Sequence, residues 1–352
     1  MVWTPKKIHA LFKLSEHMGK HPESKHAKNK VLINAFFEPS TRTSLSFECA
    51  MKKMGGQVIC FSPQTSSQKK GESDMDTLRT LANYGNVIVL RHPEPELYNA
   101  ANEELSCKEL SLINAGNGSS GHPTQALLDL YTMYKKYGMD FRFKRILFVG
   151  DIKHSRTVHS LIDMLAYYPQ MSVHLYAYPG CEPSDDYVAQ VAHAHYQDVE
   201  DTIIEEVFYE YYDVVYLTRY QKERHVSGLE SPTNSVAPCT CFTAEDAKCL
   251  GNESIILHPF PRNDELHPDV DAYPQAYYFE QMKYGVELRM ALLELIFDEQ
   301  EKVLKKKDRK HYIHKFERSS SPYINLQLFS TIGLGMLLYY LLFVVALSLE
   351  RK

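Results

Sequence analysis

The sequence predicts an α/β protein of two domains, each a parallel sheet flanked by helices. Short apolar runs alternate with stretches of helical period, the order expected of strand–helix–strand crossovers. Eight such runs precede residue 302, enough for two sheets, and several are apolar through most of their length, as strands covered on both faces are. A chain of 352 residues with 44% hydrophobic content can bury two cores. With 16 Gly and 17 Pro, it is neither collagen-like nor broadly disordered.

In order, VLINAFF (31–37), QVICF (57–61), NVIVLR (86–91) and LSLINA (110–115) read as buried strands of the first sheet. RILFVG (145–150), SVHLYAY (172–178), DVVYLTR (213–219) and SIILHP (254–259) read as those of the second. Phe47, Ala50, Met51 and Met54 share one helix face, and Gly55 stands where a C-cap belongs. Pro123 starts another helix, with Leu127, Leu130, Tyr131 and Tyr134 on one face and Gly138 as its stop. The charged stretch 139–144 suggests a boundary between domains 1–138 and 139–279, with helix 280–301 returning to complete the first.

Charge is unevenly spread. From Lys302 onward ten Lys/Arg face three acidic residues, so residues 1–301 carry −12 of a total of −5. An acidic body argues against a nucleic-acid partner. The seven cysteines (49, 60, 107, 181, 239, 241, 249) form no CxxC pair and read as reduced thiols of a cytosolic protein. The first residues mix Lys6, Lys7 and Lys13 with apolar positions, so no signal peptide is expected there. Beyond a basic linker (302–325), Leu326 to Leu349 is almost wholly apolar. These 24 residues would span about 36 Å as a helix, enough to cross a bilayer. Eight Lys/Arg between 302 and 318 precede it and only two follow, which predicts a C-terminal tail anchor with the body facing the cytosol.

In open α/β sheets, ligands gather beyond the carboxyl ends of the strands. After VLINAFF come Glu38, Pro39, Ser40, Thr41, Arg42 and Thr43, directly before a helix. Hydroxyls, a guanidinium and free N–H groups there suit a phosphate, although Ser40 and Thr41 equally suit helix capping. Other strand ends carry Arg91, then Asn114 to Gly118 with His122 and Gln125 beyond, then Arg156, then Arg219 with Gln221, then His258. Four arginines (42, 91, 156, 219) at strand ends of an acidic chain point to a polyanionic ligand set. The Gly116–Gly118 loop lacks the Gly-Lys-Ser/Thr of a nucleotide P-loop, and Gly150-Asp151 lacks a dinucleotide fingerprint. His193 and His195 lie two apart with no carboxylate-rich loop, so no metal site is expected.

The blocks FFEPSTRTSLSFE, SSQKKGES, VLRHP, NAGNGSSGHPTQALLDLYT, VGDIKHSRTVHSL, YLTRYQKER, LHPFPRNDEL and YFEQMKYGVELRMALLEL resemble the aspartate carbamoyltransferase family, in family order. The resemblance implies transfer of the carbamoyl group of carbamoyl phosphate to L-aspartate, an early step of pyrimidine biosynthesis, without metal or organic cofactor. It assigns Ser40, Thr41, Arg42 and Thr43 to the phosphate, and Arg91 to phosphate and carbonyl oxygen. His122 and Thr43 would meet the carbonyl oxygen; Gln125 and the Leu257 carbonyl would hold the amide nitrogen. Arg156, Arg219 and Gln221 would grip aspartate. Ser66 and Lys70 match positions that reach a neighbouring subunit's site, with Lys70 also touching aspartate, which implies a homotrimer with shared sites. Three departures are visible: Asn117 replaces a common Asp, the N-terminus is short and lacks the family's first strand, and the tail after Asp298 has no counterpart.

Two rivals compete. Ornithine carbamoyltransferases normally carry His-Cys-Leu-Pro and a Ser-Met-Gly loop; here the stretch is His258-Pro259-Phe260-Pro261, and no Ser-Met-Gly occurs. A catalytically silent, membrane-held scaffold would have no physical need for the retained cations.

Overall fold

The computed structural model describes residues 3–106, 110–118, 121–195, 202–222 and 241–319, with side chains in the last segment as far as 305. Among the described residues the eight strands are β1 (Val31–Phe36), β2 (Gln57–Phe61), β3 (Val87–His92), β4 (Ser111–Asn117), β5 (Arg145–Gly150), β6 (Ser172–Ala177), β7 (Val214–Thr218) and β8 (Ile255–Leu257). They form two four-stranded sheets, ordered β2-β1-β3-β4 and β6-β5-β7-β8, and every pairing is parallel. The helices are α1 (Pro5–Lys20), α2 (Thr41–Lys53), α3 (Asp74–Ala82), α4 (Pro95–Leu105), α5 (Pro123–Tyr137), α6 (Arg156–Leu165), α7 (Asp185–Ala194), α8 (Ala244–Cys249) and α9 (Tyr278–Ser319).

Strand periodicity explains the layering, because alternate residues enter different cores. Leu32, Val87 and Val89 point to the same core as Ile146, Phe148, Val214 and Tyr216 of the second sheet. Their neighbours Ile33, Ile88 and Leu90 enter a separate core with Leu78 and Leu81 of α3. On the second sheet Leu147, Val149, Val215, Leu217 and Ile256 fill a third. The shared core is supplied by α5, whose Leu127, Leu130, Tyr131 and Tyr134 are buried there with Leu288, Leu293 and Phe297 of α9. One continuous apolar layer therefore backs both sheets, and Met1–Gln300 is one compact unit.

Local signals act as expected at two helix ends. Gly55 follows α2 at φ +85°, and Gly138 closes α5 at φ +62°, conformations that Gly adopts without a Cβ penalty. QVICF requires a correction: β2 is an edge strand, with three of its five residues exposed and none buried. α1 precedes β1, capped by Thr4 Oγ1 accepting from Lys7 N at 3.3 Å, and buries Ile8, Leu11, Phe12, Ser15 and Met18. Among the described residues no helix is long and apolar enough to cross a membrane. The expected span 326–349 lies outside them, as do Cys107 and Cys239. Glu301–Lys352 forms a second unit, described only through the end of α9.

Candidate active site

Parallel pairing aligns the strand ends that carry chemistry. Phe36 pairs with Arg91 across β1 and β3, and Gly150 with Thr218 across β5 and β7. Beyond those ends lies a cavity of about 770 Å³ lined by Ser40, Thr41, Arg42, Thr43, Arg91, His122, Gln125, Arg156, Arg219 and Gln221. Ten residues singled out from separate stretches of sequence thus meet in one place.

Three helices begin at this cavity. Ser40, His122 and Ser155 stand at the N-caps of α2, α5 and α6, and none uses its side chain to cap. The capping alternative for Ser40 is thereby half realised: the residue holds the position, while its hydroxyl makes no capping bond. The positive ends of three helix dipoles converge on one volume, an arrangement that favours anions.

The charged lining is strongly cationic. Arg289 joins the four expected arginines, against the carboxylate of Glu38. Glu38 Oε2 lies 3.2 Å from Arg91 Nε and 3.5 Å from Arg156 Nη1, so one carboxylate aligns two guanidinium groups. Arg156 Nη1 also donates to the Gly118 carbonyl at 2.7 Å. Arg219 donates to the Tyr220 carbonyl at 3.3 Å, and the Gln221 N–H to Asp151 Oδ2 at 3.1 Å. Burial lowers the Arg42 pKa, and the charges of Arg91 and Arg219 lower it further. Like charges are thus held together by the fold, and an anionic ligand relieves their repulsion.

His122 is buried, and its backbone N–H donates to Ser160 Oγ at 2.8 Å. Burial, followed by the charges of Arg156, Arg91 and Arg289, pushes its pKa well below 6.5. The imidazole is therefore neutral at pH 7. It can offer one N–H to an oxygen without adding another positive charge.

A second layer lies beneath. Asp129, fully buried on α5, accepts from Gln125 Nε2 at 2.8 Å, Gln281 Nε2 at 2.6 Å and Tyr216 Oη at 3.0 Å. Burial pushes its carboxyl up to about 7, against those three hydrogen bonds and the charge of Arg289. Burial also pushes Arg289 down to about 10, with Asp129 opposing. Room for Arg289 comes from Gly285, one helical turn earlier: a Cβ there would lie 2.5 Å from Arg289 Nη1 and 3.2 Å from Leu128.

Three expected residues lie outside this cavity, two of them, Ser66 and Lys70, having been expected in a neighbouring subunit's site. Leu257, expected to present its carbonyl, is the last residue of β8, fully buried in the core, and does not line the cavity. The strand ends before the chain reaches the site. Phe260, at φ +53°, lines it instead, its ring centroid 5.9 Å from Arg42 Cζ. Ser66 and Lys70 also lie outside the cavity, in a polar turn where Ser66 Oγ accepts from Gln68 N at 3.3 Å and Lys70 is exposed. Asn117 keeps an acceptor role, its Oδ1 receiving Asn114 Nδ2 at 3.0 Å. Glu38, Ser155, Thr157, Thr218, Gln281 and Arg289 line the cavity without having been assigned a role from sequence. The Gln281–Gly285–Arg289 spacing, two polar residues two turns apart on one helix face with Gly between, was the available signal for the last pair.

Comparison with known proteins decides the lineage. Residues 1–135 match the model of the aspartate/ornithine carbamoyltransferase carbamoyl-P binding domain, and residues 143–296 that of the Asp/Orn binding domain. The chain belongs to the aspartate/ornithine carbamoyltransferase family. Among its family relatives, the aspartate carbamoyltransferase catalytic subunit of Thermococcus onnurineus is 42% identical over 287 residues, 80% of this chain and 89% of that protein. The multifunctional protein pyr-3 of Neurospora crassa is 39% identical over 84% of this chain, which spans only 16% of that longer protein. Among solved structures, the aspartate transcarbamoylase of Trypanosoma cruzi in complex with carbamoyl phosphate and aspartate has a TM-score of 0.70 at 31% identity, covering 83% of this chain and 93% of that one. The catalytic subunit from M. jannaschii gives 0.71 at 34% identity, covering 85% and 96%.

Proposed function

We propose that this chain is an aspartate carbamoyltransferase: carbamoyl phosphate and L-aspartate yield N-carbamoyl-L-aspartate and phosphate, an early step of pyrimidine biosynthesis. The observation that carries this reading is the convergence of five arginines and three helix N-termini on one cavity, in a chain with family relatives of that name. Both substrates are anions, so fixed cations must offset their repulsion.

In this reading Ser40, Thr41, Arg42 and Thr43 hold the phosphate at the start of α2, with Arg91 bridging phosphate and carbonyl oxygen. Thr43 and His122 donate to that oxygen, and Gln125 accepts from the amide nitrogen. The backbone carbonyl of Phe260 takes the part expected of Leu257, supported by its position in the cavity wall. Arg156, Arg219 and Gln221 hold the aspartate carboxylates. The neutral α-amine attacks the carbonyl carbon; a C–N bond forms, the C–O bond to phosphate breaks, and the departing phosphate takes the amine proton. Charge builds on the carbonyl oxygen during attack, so donors aimed there stabilise the transition state more than the ground state. Positioning of two reactants can supply roughly 7–11 kcal/mol more.

Ser66 and Lys70 complete a neighbour's site within a homotrimer, a reading supported by a polar, exposed turn outside the chain's own cavity. The apolar segment 326–349 anchors the chain to a membrane with the catalytic body on the cytosolic side, supported by its length and flanking basic residues. Alkaline-carbonate extraction tests the anchor: full-length protein in the pellet and a 1–301 truncation in the supernatant are expected, and identical soluble behaviour contradicts it. For the activity, initial rates with carbamoyl phosphate are measured with aspartate and ornithine in parallel. Turnover with aspartate alone is expected; turnover with ornithine alone overturns the reading.

A further inference from the structure

Asp129 touches no cavity surface, yet two cavity-wall residues hang on it. Gln125 and Gln281 both line the cavity, and both give their amide N–H to the same oxygen, Asp129 Oδ1. Gln281 in turn accepts the His258 backbone N–H at 3.0 Å, and Phe260 N donates to His258 Nδ1 at 2.8 Å. His258 Nε2 meets Glu265 Oε1 at 2.8 Å, so the loop His258–Pro261 is fastened from behind at both ring nitrogens. Tyr216 of β7 occupies the other oxygen, Asp129 Oδ2.

Resting on the function proposed above, we infer that Asp129 is a positioning residue that makes the site selective for a carbamoyl over an acetyl group. Both amide nitrogens face Asp129 Oδ1, which accepts from them while Oδ2 is taken by Tyr216 Oη, so each glutamine turns its NH2 toward Asp129. The Gln125 carbonyl oxygen is then the end left for the cavity, where it can accept an N–H. Through Gln281 and His258 the same carboxylate fixes the backbone that carries Phe260, the second acceptor. Both acceptors for a substrate NH2 are thus set by one buried group. A methyl in place of that NH2 would leave them unpaired, the circumstance in which a polar site discriminates strongly.

The test compares carbamoyl phosphate with acetyl phosphate, which differ only in NH2 against CH3. Calorimetric affinities are measured on wild type, Asp129→Asn and Asp129→Leu, with thermal unfolding of each and turnover with aspartate on the same samples. Wild type is expected to prefer carbamoyl phosphate. Asp129→Leu is expected to lose about tenfold or more of that preference while keeping its affinity for inorganic phosphate. Asp129→Asn is expected to keep most of it, since the Asn oxygen can accept from both glutamines and the Tyr216 hydroxyl can accept from the Asn NH2. Absence of preference in wild type, retention of it in a folded Asp129→Leu, or equal loss in both variants overturns the proposal. If Asp129→Leu fails to fold, side-chain amide protons of glutamine-labelled wild type decide. Protected amides at Gln125 and Gln281 are expected, and rapidly exchanging ones overturn it. A wild type that discriminates in binding but makes no carbamoyl aspartate would refute the assigned activity and leave the selectivity inference standing.

Discussion

Gly150 and Thr218 face each other at the ends of β5 and β7, and a Cβ on Gly150 would overlap the Thr218 carbonyl oxygen. Gly150 also sits at φ +127°, outside the range that other residues adopt readily. Close approach of these two backbones sets where the following Arg219 and Gln221 stand. Gly150→Ala should therefore cost about 1–3 kcal/mol of stability and raise the KM for aspartate. Calorimetric unfolding and initial rates check this; a variant unchanged in both would show that the contact does not position the site.

The two ends of the cavity should separate in kinetics. Arg42→Ala removes a charge at the start of α2 and should lower kcat by about 10²–10³. Arg219→Ala, at the end of β7, should raise the KM for aspartate by about tenfold or more and leave the KM for carbamoyl phosphate nearly unchanged. Steady-state rates with each substrate varied decide it. Identical profiles for the two variants would contradict the division of the cavity.

His122 should remain neutral where an ordinary histidine is half protonated. In protein labelled at the imidazole carbons, NMR at pH 6.5 should show the neutral form, and a titration centred near 6.5 would contradict its burial among Arg156, Arg91 and Arg289. The sign for stability follows from linkage. The unfolded chain takes up this proton first as pH falls, so this contribution to stability is complete above about 6.5 and diminishes below it.

Sharing of sites between subunits predicts recovery on mixing. Lys70→Ala and Arg42→Ala chains, each nearly inactive alone, should regain partial activity in mixed trimers, because some sites then combine an intact cavity with an intact neighbouring turn. Hybrids shown to contain both chains but lacking activity would contradict sharing.

The strands were legible because each buried one announces itself as an apolar run; all eight stand where the sequence placed them, within two residues at either end. QVICF was misread because an edge strand exposed on both faces can carry the same residues as a buried one. The Ile8, Leu11, Phe12, Ser15 and Met18 spacing of α1 was present in the sequence and was read only as the absence of a leader. Arg42, Arg91, Arg156 and Arg219 were found because charge at a strand end is visible in one dimension. Leu257 was expected at the cavity, where Phe260 stands instead, because a backbone carbonyl has no residue-type signature and its place depends on where the chain turns. Asp129 lay hidden for a related reason. Its partners Gln125, Tyr216 and Gln281 come from three distant stretches, and only the tertiary fold brings them to one carboxylate.

The most direct measurement follows ¹³C-labelled carbamoyl phosphate by NMR in the presence of L-aspartate and the full-length protein, with free phosphate assayed on the same sample. One N-carbamoyl-L-aspartate should form for each phosphate released, and Arg42→Ala should nearly abolish both. Phosphate release without carbamoyl aspartate, or a product yield that Arg42→Ala leaves unchanged, would contradict the assignment of this cavity to carbamoyl transfer.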